Sequence, residues 1–220
     1  FHYKGVIISN SDLGFKGNTV PKAPAGTIHG GIECVNGQWY VFYHRCTNNT
    51  DFSRQACAEP IQILPDGTIP QVEITTQGLD YKPIPAYGSI PAAYACNLTS
   101  GKPVKLGVGK QQKLTRVDES EGEIYVADIL DNTQLGYKYF DLRDVKNIRI
   151  TYRGTGSGTI QVRTLEDGDP VGSVSVFPSD RWALASAAVK LNGTYPLYLR
   201  FCGKGRIDLK TITFSWEDTL

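Results

Sequence analysis

The chain has 220 residues, 40% of them hydrophobic, with 23 Lys and Arg against 22 Asp and Glu for a net charge of +1. That length holds one large or two small domains, and that apolar content excludes global disorder. The near-zero charge gives no broad attraction to nucleic acid or to an anionic membrane, and no long apolar run reads as a membrane helix.

Residues 1–10 read as a strand around Val6, Ile7 and Ile8, and residues 11–26, rich in Gly, Asn, Pro and Ser, read as a long loop. Phe1 opens directly into that strand rather than into a signal peptide. The absence of Met fits a chain whose natural start lies elsewhere, or a processed product. Residues 26–60 form the most distinctive stretch. Two strand-like runs meet at Asn36-Gly37, a dipeptide suited to the two-residue turn of a twisted hairpin. After it, Trp39, Val41 and Tyr43 alternate with Tyr40, Phe42 and His44, so both faces of the strand are predicted to be covered, as in a stacked structure. A polar loop (47–53), a strand (54–63), a Pro65-Asp66-Gly67 turn and a short alternating strand (Val72–Thr75) follow.

Residues 79–91 carry prolines without strand periodicity and are predicted to be a semi-rigid linker between a first unit (1–78) and a second (92–220). The second unit reads as strands at 124–130, 137–142, 147–152, 159–165, 172–177, 182–191, 197–202 and 207–216. Ile148, Ile150 and Tyr152 alternate with Arg149, Thr151 and Arg153, the pattern of a β-sandwich. No stretch keeps helical apolar spacing for three turns, so the whole chain is predicted to be all-β. Cys34, Cys46, Cys57, Cys96 and Cys202 include no C-x-x-C pair, which argues against zinc. Most are read as buried thiols, with one bridge among the first three left open. Sequons at Asn48, Asn97 and Asn192 matter only on a eukaryotic secretory route.

Two ionisable residues tied to the apolar hairpin are the candidates for chemistry. His29, among glycines, is either a locally satisfied core histidine or an imidazole turned toward a site. Arg54 is either paired with Asp51 or Glu59, or a planar fork of donors for a ligand. Asp12, Glu33, Asp51, Glu59 and Glu73 read as turn, rim or strand-end charges, with Glu59 as the one to be buried and paired. His44 and Arg45, at the end of the strand, read as structural or rim residues.

The order TIHGG, NGQWYVFYHR, FSRQACAEPI and PDGTIPQVEIT resembles the last blade of glycoside hydrolase family 43, a five-bladed β-propeller, over most of residues 1–78. GYKYFDLRDVKNIRITYRGTGSGTIQVR followed by LYLRFCGKGRIDLKTITF resembles a family 6 carbohydrate-binding module. The resemblance implies a partial propeller, the last blade or two, followed by a jelly-roll sandwich. It also implies an inverting, two-carboxylate hydrolase of β-xylosidase or α-L-arabinofuranosidase type acting on arabinose- or xylose-containing plant polysaccharide, outside the cell or in the periplasm. None of the carboxylates here matches the family's catalytic acids. These are expected outside the chain, which alone is expected to be inactive, and the missing blades, upstream or on a second chain, are an expected partner.

The resemblance further implies that Arg54 reaches the sugar. It places His29, in HGG where the family has HGS, near the axis beside a calcium ion or its water shell. In the sandwich, Tyr125, Tyr137, Tyr139 and Trp182 are candidates for stacking on sugar, with Tyr139 and Trp182 falling in strand patterns that read as core. Asp208 stands where the family often has an asparagine, a departure that weighs against lectin-like activity. The alternative reading is a non-catalytic carbohydrate-binding protein.

Overall fold

The computed structural model describes residues 2–24, 26–48, 50, 53–100 and 115–217. The first strands are β1 (Gly31–Val35), β2 (Gln38–Arg45) and β3 (Gln55–Pro60), a three-stranded antiparallel sheet in that order. Asn36 (φ 51°) and Gly37 (φ 84°) both take positive φ, so the β1–β2 connection is the primed turn that matches strand twist, and Val35 pairs with Gln38 across it. The central strand β2 is covered: Tyr40, Val41, Tyr43, His44 and Arg45 are buried. β1 is not. It carries Glu33 and Cys34 in solvent, with Ile32 and, across the turn, Trp39 exposed, and among the described residues its second edge pairs with no strand.

The expected strand over residues 1–10 does not form among the described residues. That run is extended coil, and its Ile7 carbonyl accepts the N–H of Val72, from a second stretch expected to be a strand. Residues 72–75 are likewise outside any strand. Apolar sequence supplies the propensity here, but a strand needs a repeating ladder, and among the described residues the two runs share one backbone bond of this kind. The loop over 11–26 is partly ordered by two short 3-10 turns, Asn10–Asp12 and Phe15–Gly17.

The remaining strands are β4 (Ile84–Pro85), β5 (Ser89–Pro91), β6 (Asn97–Thr99), β7 (Arg116–Ser120), β8 (Glu123–Ile129), β9 (Gln134–Asp141) and β10 (Val145–Gly154). They continue with β11 (Ser157–Arg163), β12 (Gly172–Val176), β13 (Ser179–Leu191), β14 (Thr194–Lys204) and β15 (Ile207–Ser215). They make two sheets. One runs β13-β10-β15-β8-β7 with β5 added at β15; the other runs β12-β11-β14-β9-β4 with β6 added at β9. The inward residues of both sheets meet in one core, Ile148, Ile150 and Ile212 from the first against Phe140, Val162 and Leu197 from the second. The period-two pattern of the sequence is therefore the inside-outside alternation of a sandwich. The proline-rich stretch expected to be a linker is built into both sheets instead. Ile84 pairs with Phe140 and Ile90 with Ile212, because Pro85 and Pro91 sit on short edge strands where a missing N–H costs little.

The hairpin sheet is bonded to the sandwich at a buried joint. Arg45 donates to the carbonyls of Cys96 (2.7 Å) and Ala95 (3.0 Å). Lys138 on β9 reaches Glu73 at 2.9 Å and Asp12 at 3.5 Å, and its backbone exchanges bonds with Thr76. The Tyr139 hydroxyl donates to the second oxygen of Glu73, and Asp12 accepts the Ile74 N–H. Asp12 and Glu73 are thus parts of an interior ion cluster rather than rim charges. Burial pushes the Asp12 carboxyl up, opposed by the Lys138 charge beside it.

Glu59 lies 1% exposed and accepts from Thr75 N–H, Thr75 Oγ1 and the Tyr43 hydroxyl. Its partners are neutral donors rather than a cation. Burial outweighs those bonds and the more distant Arg45 charge, and raises its pKa from 4.5 to about 7.

Two stability measurements follow from this joint. Lys138→Met leaves Asp12 and Glu73 buried without their cation, and should cost about 3–5 kcal/mol in chemical denaturation. Glu59 holds a proton in the fold that the unfolded chain has lost, across the window from about 4.5 to about 7. Its stabilisation is complete below that window and is lost as pH rises through it, on the order of 3 kcal/mol in all. Glu59→Gln should flatten this decline, so the difference in stability between the two proteins should change across pH 4.5–7 and stay constant above it.

Candidate functional site

The ends of three strands come together at one edge of the hairpin sheet. The β1–β2 register sets Gly31 against Phe42, which carries His29 to His44, and the β2–β3 register sets His44 against Ala56. Arg54 lies just before β3, at the same end. The His29 and His44 rings meet edge to face with centroids 4.4 Å apart, and His44 Nε2 lies 3.2 Å from Thr27 Oγ1. His29 is exposed, so it is not a core histidine; His44 takes that part. The glycine after His29 is required by packing. A Cβ on Gly30 would lie 1.7 Å from the Phe42 carbonyl oxygen, so any side chain there would push the His29 segment off β2.

Arg54 is exposed and lines a groove between the hairpin sheet and the sandwich. Of its two expected acid partners, Glu59 is taken by Thr75 and Tyr43, and Asp51 lies outside the described residues. The groove has a volume of about 660 Å³. Thr47, Asn48 and Gln55 line it on the hairpin side, and Tyr94, Asp118 and Ile124 on the sandwich side.

The sandwich candidates are placed differently. Tyr137 is 0% exposed and donates its hydroxyl to Ala92 O inside the core, so it presents no face to a sugar. The strand pattern that puts Leu135 inward puts Tyr137 inward too. Tyr125 lies on the opposite side of β8 from the core residue Val126. Its ring and that of Trp182 are 5.5 Å apart, and the Arg153 guanidinium stacks on both, 4.8 Å from Tyr125 and 4.4 Å from Trp182. Asp208 holds that guanidinium at 3.1 Å and accepts the Asp128 N–H with its other oxygen. Glu123 receives the Trp182 indole N–H at 2.6 Å and pairs with Lys210. The aromatic slot is therefore filled from within by a cation, and Asp208 is the anchor of that cation.

Among the described residues no group of three or more His, Cys, Asp or Glu is placed to hold a metal. His29 offers one nitrogen, whereas calcium takes six to eight oxygens. Asp128 is engaged by Arg116 and Arg206, and Asp208 by Arg153. All five cysteines are free thiols, with Cys34 exposed and Cys46 and Cys96 buried. Sequence reasoning missed Tyr94 and the stacked Arg153. The first follows only from a short 3-10 turn, Ala92–Tyr94, and the second from strand neighbours distant in sequence.

No family model matches the chain. It is 38% identical over 230 aligned positions to a xylosidase/arabinosidase of Thermoclostridium stercorarium, an alignment that covers 99% of this chain and 49% of that protein. The chain thus spans about half the length of the curated relative it matches. Among solved structures, a family 43 arabinoxylan arabinofuranohydrolase of Bacillus subtilis superposes on 99% of the chain and 45% of its own, with a TM-score of 0.57 and 18% identity. Carbohydrate-binding modules match the sandwich. One from Clostridium stercorarium, solved with cellobiose, covers 62% of this chain and 98% of its own (TM-score 0.51, 18% identity). A family 6 module from Clostridium cellulolyticum, solved with xylose, covers 60% and 98% (TM-score 0.50, 21% identity). By sequence the chain is a relative of a xylosidase/arabinosidase, and its fold is that of the matching portion of a family 43 glycoside hydrolase, with a family 6-type sandwich as the larger share.

Proposed function

We propose that the chain is the C-terminal portion of a glycoside hydrolase that cleaves xylose- and arabinose-containing plant polysaccharides, of β-xylosidase or α-L-arabinofuranosidase type. The observation that carries this reading is the 38% identity to a xylosidase/arabinosidase along 99% of the chain. The hairpin sheet supports it. Among the described residues β1 has one edge without a partner strand, and Ile32 on it is exposed, a surface of the kind soluble proteins cover; β1 flanks the end where His29 and Arg54 gather. The reading sets further propeller blades against that edge. Those blades bring the two carboxyl groups, one as acid and one as base, spaced roughly 6.5–9.5 Å apart to admit the attacking water of an inverting reaction.

The work of this chain is then positional. The Arg54 fork holds a sugar hydroxyl or lowers the pKa of a neighbouring carboxylate, and His29 borders the substrate. A calcium ion at the axis would take its oxygen ligands from residues beyond this chain, with His29 touching only its water shell. Action on plant cell walls fits a protein delivered outside the cytoplasm.

The second reading, a non-catalytic carbohydrate-binding protein, draws on the sandwich's likeness to modules solved with sugars. The filled Tyr125–Trp182 slot counts against it.

Assays on aryl arabinofuranosides and xylosides separate the two. Activity should appear only when upstream residues are joined to the 220-residue chain. Glycan retention by the short chain with no hydrolysis by either form would establish the second reading. In the active form, Arg54→Ala should lower kcat/KM by about ten- to a hundredfold, the worth of one charged hydrogen bond at the reacting sugar.

A further inference from the structure

We infer that the hollow between Tyr87 and Trp216, at the end of the sandwich away from the Arg153 slot, is a binding site for one neutral pyranose unit of a plant polysaccharide. The choice of polysaccharide rests on the proposed hydrolase reading, while the hollow itself is independent of it.

Tyr87 stands in the bend between β4 and β5, which belong to different sheets, so the bend passes from one sheet to the other. Trp216 follows β15 directly, next to β5, whose Ser89 pairs with Thr213. Asp208 of the filled slot lies near the start of the same strand, so the two places are roughly 25 Å apart at the usual strand rise. The hollow shares no lining residue with the groove beside Arg54.

Three observations point to a sugar. First, the two rings are exposed and held. Tyr87 is 74% exposed and Trp216 39%, with ring centroids 5.5 Å apart and planes tilted by 35°. Trp216 Nε1 donates to the Arg143 carbonyl at 3.1 Å. The one polar atom of the indole is thus satisfied by the protein, and what remains in solvent is apolar ring face. Among the described residues no cation is stacked on either ring, in contrast to Tyr125 and Trp182.

Second, polar groups border these rings with capacity to spare. Asp144 and Tyr87 line the hollow, and among the described residues neither the carboxylate nor the hydroxyl makes a hydrogen bond or an ion pair. Arg143 gives Nε and Nη2 to Asp141, which leaves Nη1 available on a side chain that is 73% exposed. A carboxylate that accepts and a guanidinium that donates match a sugar ring, whose hydroxyls do both. The same groups select for neutrality. With Arg143 balanced by Asp141, Asp144 leaves a net negative charge that disfavours uronic acids, and a cation would meet the guanidinium beside it.

Third, the dimensions suit one ring. The hollow measures about 250 Å³, below the roughly 300–1,000 Å³ of an enclosing ligand pocket, so it seats a single unit at the surface of a longer polymer. Its shape is set in advance. Ile84 pairs with Phe140 and Ile90 with Ile212, which ties the bend carrying Tyr87 at both ends. A site formed before its ligand arrives loses little freedom on binding.

The test compares the protein with its upstream residues joined against its Tyr87→Ala, Tyr87→Phe and Trp216→Ala variants. Affinity electrophoresis in gels containing soluble arabinoxylan or polygalacturonate reads binding; aryl arabinofuranoside hydrolysis and sedimentation velocity are followed in parallel. Tyr87→Ala and Trp216→Ala should each raise the dissociation constant for arabinoxylan about three- to tenfold, the worth of one aromatic contact, with aryl-glycoside kcat/KM unchanged. Tyr87→Phe should keep most of the affinity, and polygalacturonate should not retard the parent through this site. Tyr87 is mostly in solvent, so its variants decide the outcome if Trp216→Ala fails to fold. Equal retardation of the parent and Tyr87→Ala by arabinoxylan overturns the site, and so does retardation by polygalacturonate that Tyr87→Ala removes. Self-association that Tyr87→Ala abolishes, with glycan retardation intact, also overturns it and makes the ring pair a contact between copies. Loss of arabinoxylan retardation in Tyr87→Ala, where the parent hydrolyses no aryl glycoside, upholds the site and rejects the hydrolase reading. Normal hydrolysis with retardation indifferent to Tyr87 does the reverse.

Discussion

The buried contact of Lys138 with Asp12 and Glu73 is the constraint on which the rest of the molecule depends. It takes a lysine from a sandwich strand and sets it among acids of the hairpin unit, at distances of 2.9 and 3.5 Å. Such a cluster is weak ground for net stability, because removing three charges from water costs nearly what their attraction returns. Its strength lies in register. Only one relative placement of the two units satisfies Lys138, Arg45 and the Thr76 backbone together, and any slip leaves a charge buried without a partner. The groove beside Arg54 exists because that placement is fixed.

Much of this was legible in the sequence, and the reasons differ element by element. Asn36-Gly37 specifies a primed turn by steric chemistry alone, so the hairpin could be read with its register. Ile148, Ile150 and Tyr152 alternate because one side of β10 faces oil and the other water, and both facts are local. Residues 1–10 misled because their apolar run describes what the strand needs and not whether a full ladder forms beside it. The prolines of 79–91 misled in the opposite sense. They suggested a linker, while the edges of both sheets could take up short strands that contain them.

The candidate site was legible in parts. His29 and Arg54 stood out because each is a polar group on an apolar hairpin, and the registers bring both to one end of the sheet. Tyr125 and Tyr137 were chosen by residue type, which does not say which face of a strand a ring occupies or what already covers it, and Asp208 was chosen by its place in the family resemblance. Tyr137 faces the core, and Tyr125 is capped by Arg153. Tyr94 carries no periodic signal at all, since its exposure follows from a 3-10 turn of three residues.

Arg153 also bears on how one sandwich can serve different ends. Two aromatic rings facing a gap will accept a sugar or a guanidinium, because both present a flat surface with polarised hydrogens to a π-face. An arginine carried by the neighbouring strand is present at every instant, whereas a sugar must arrive from solution. An acid such as Asp208 tips the competition further, since it binds the cation more strongly than a neutral hydroxyl. A single arginine–aspartate pair is therefore enough to convert a recognition slot into packing, with the fold unchanged. The sandwich that results keeps its place as one wall of the groove beside the hairpin.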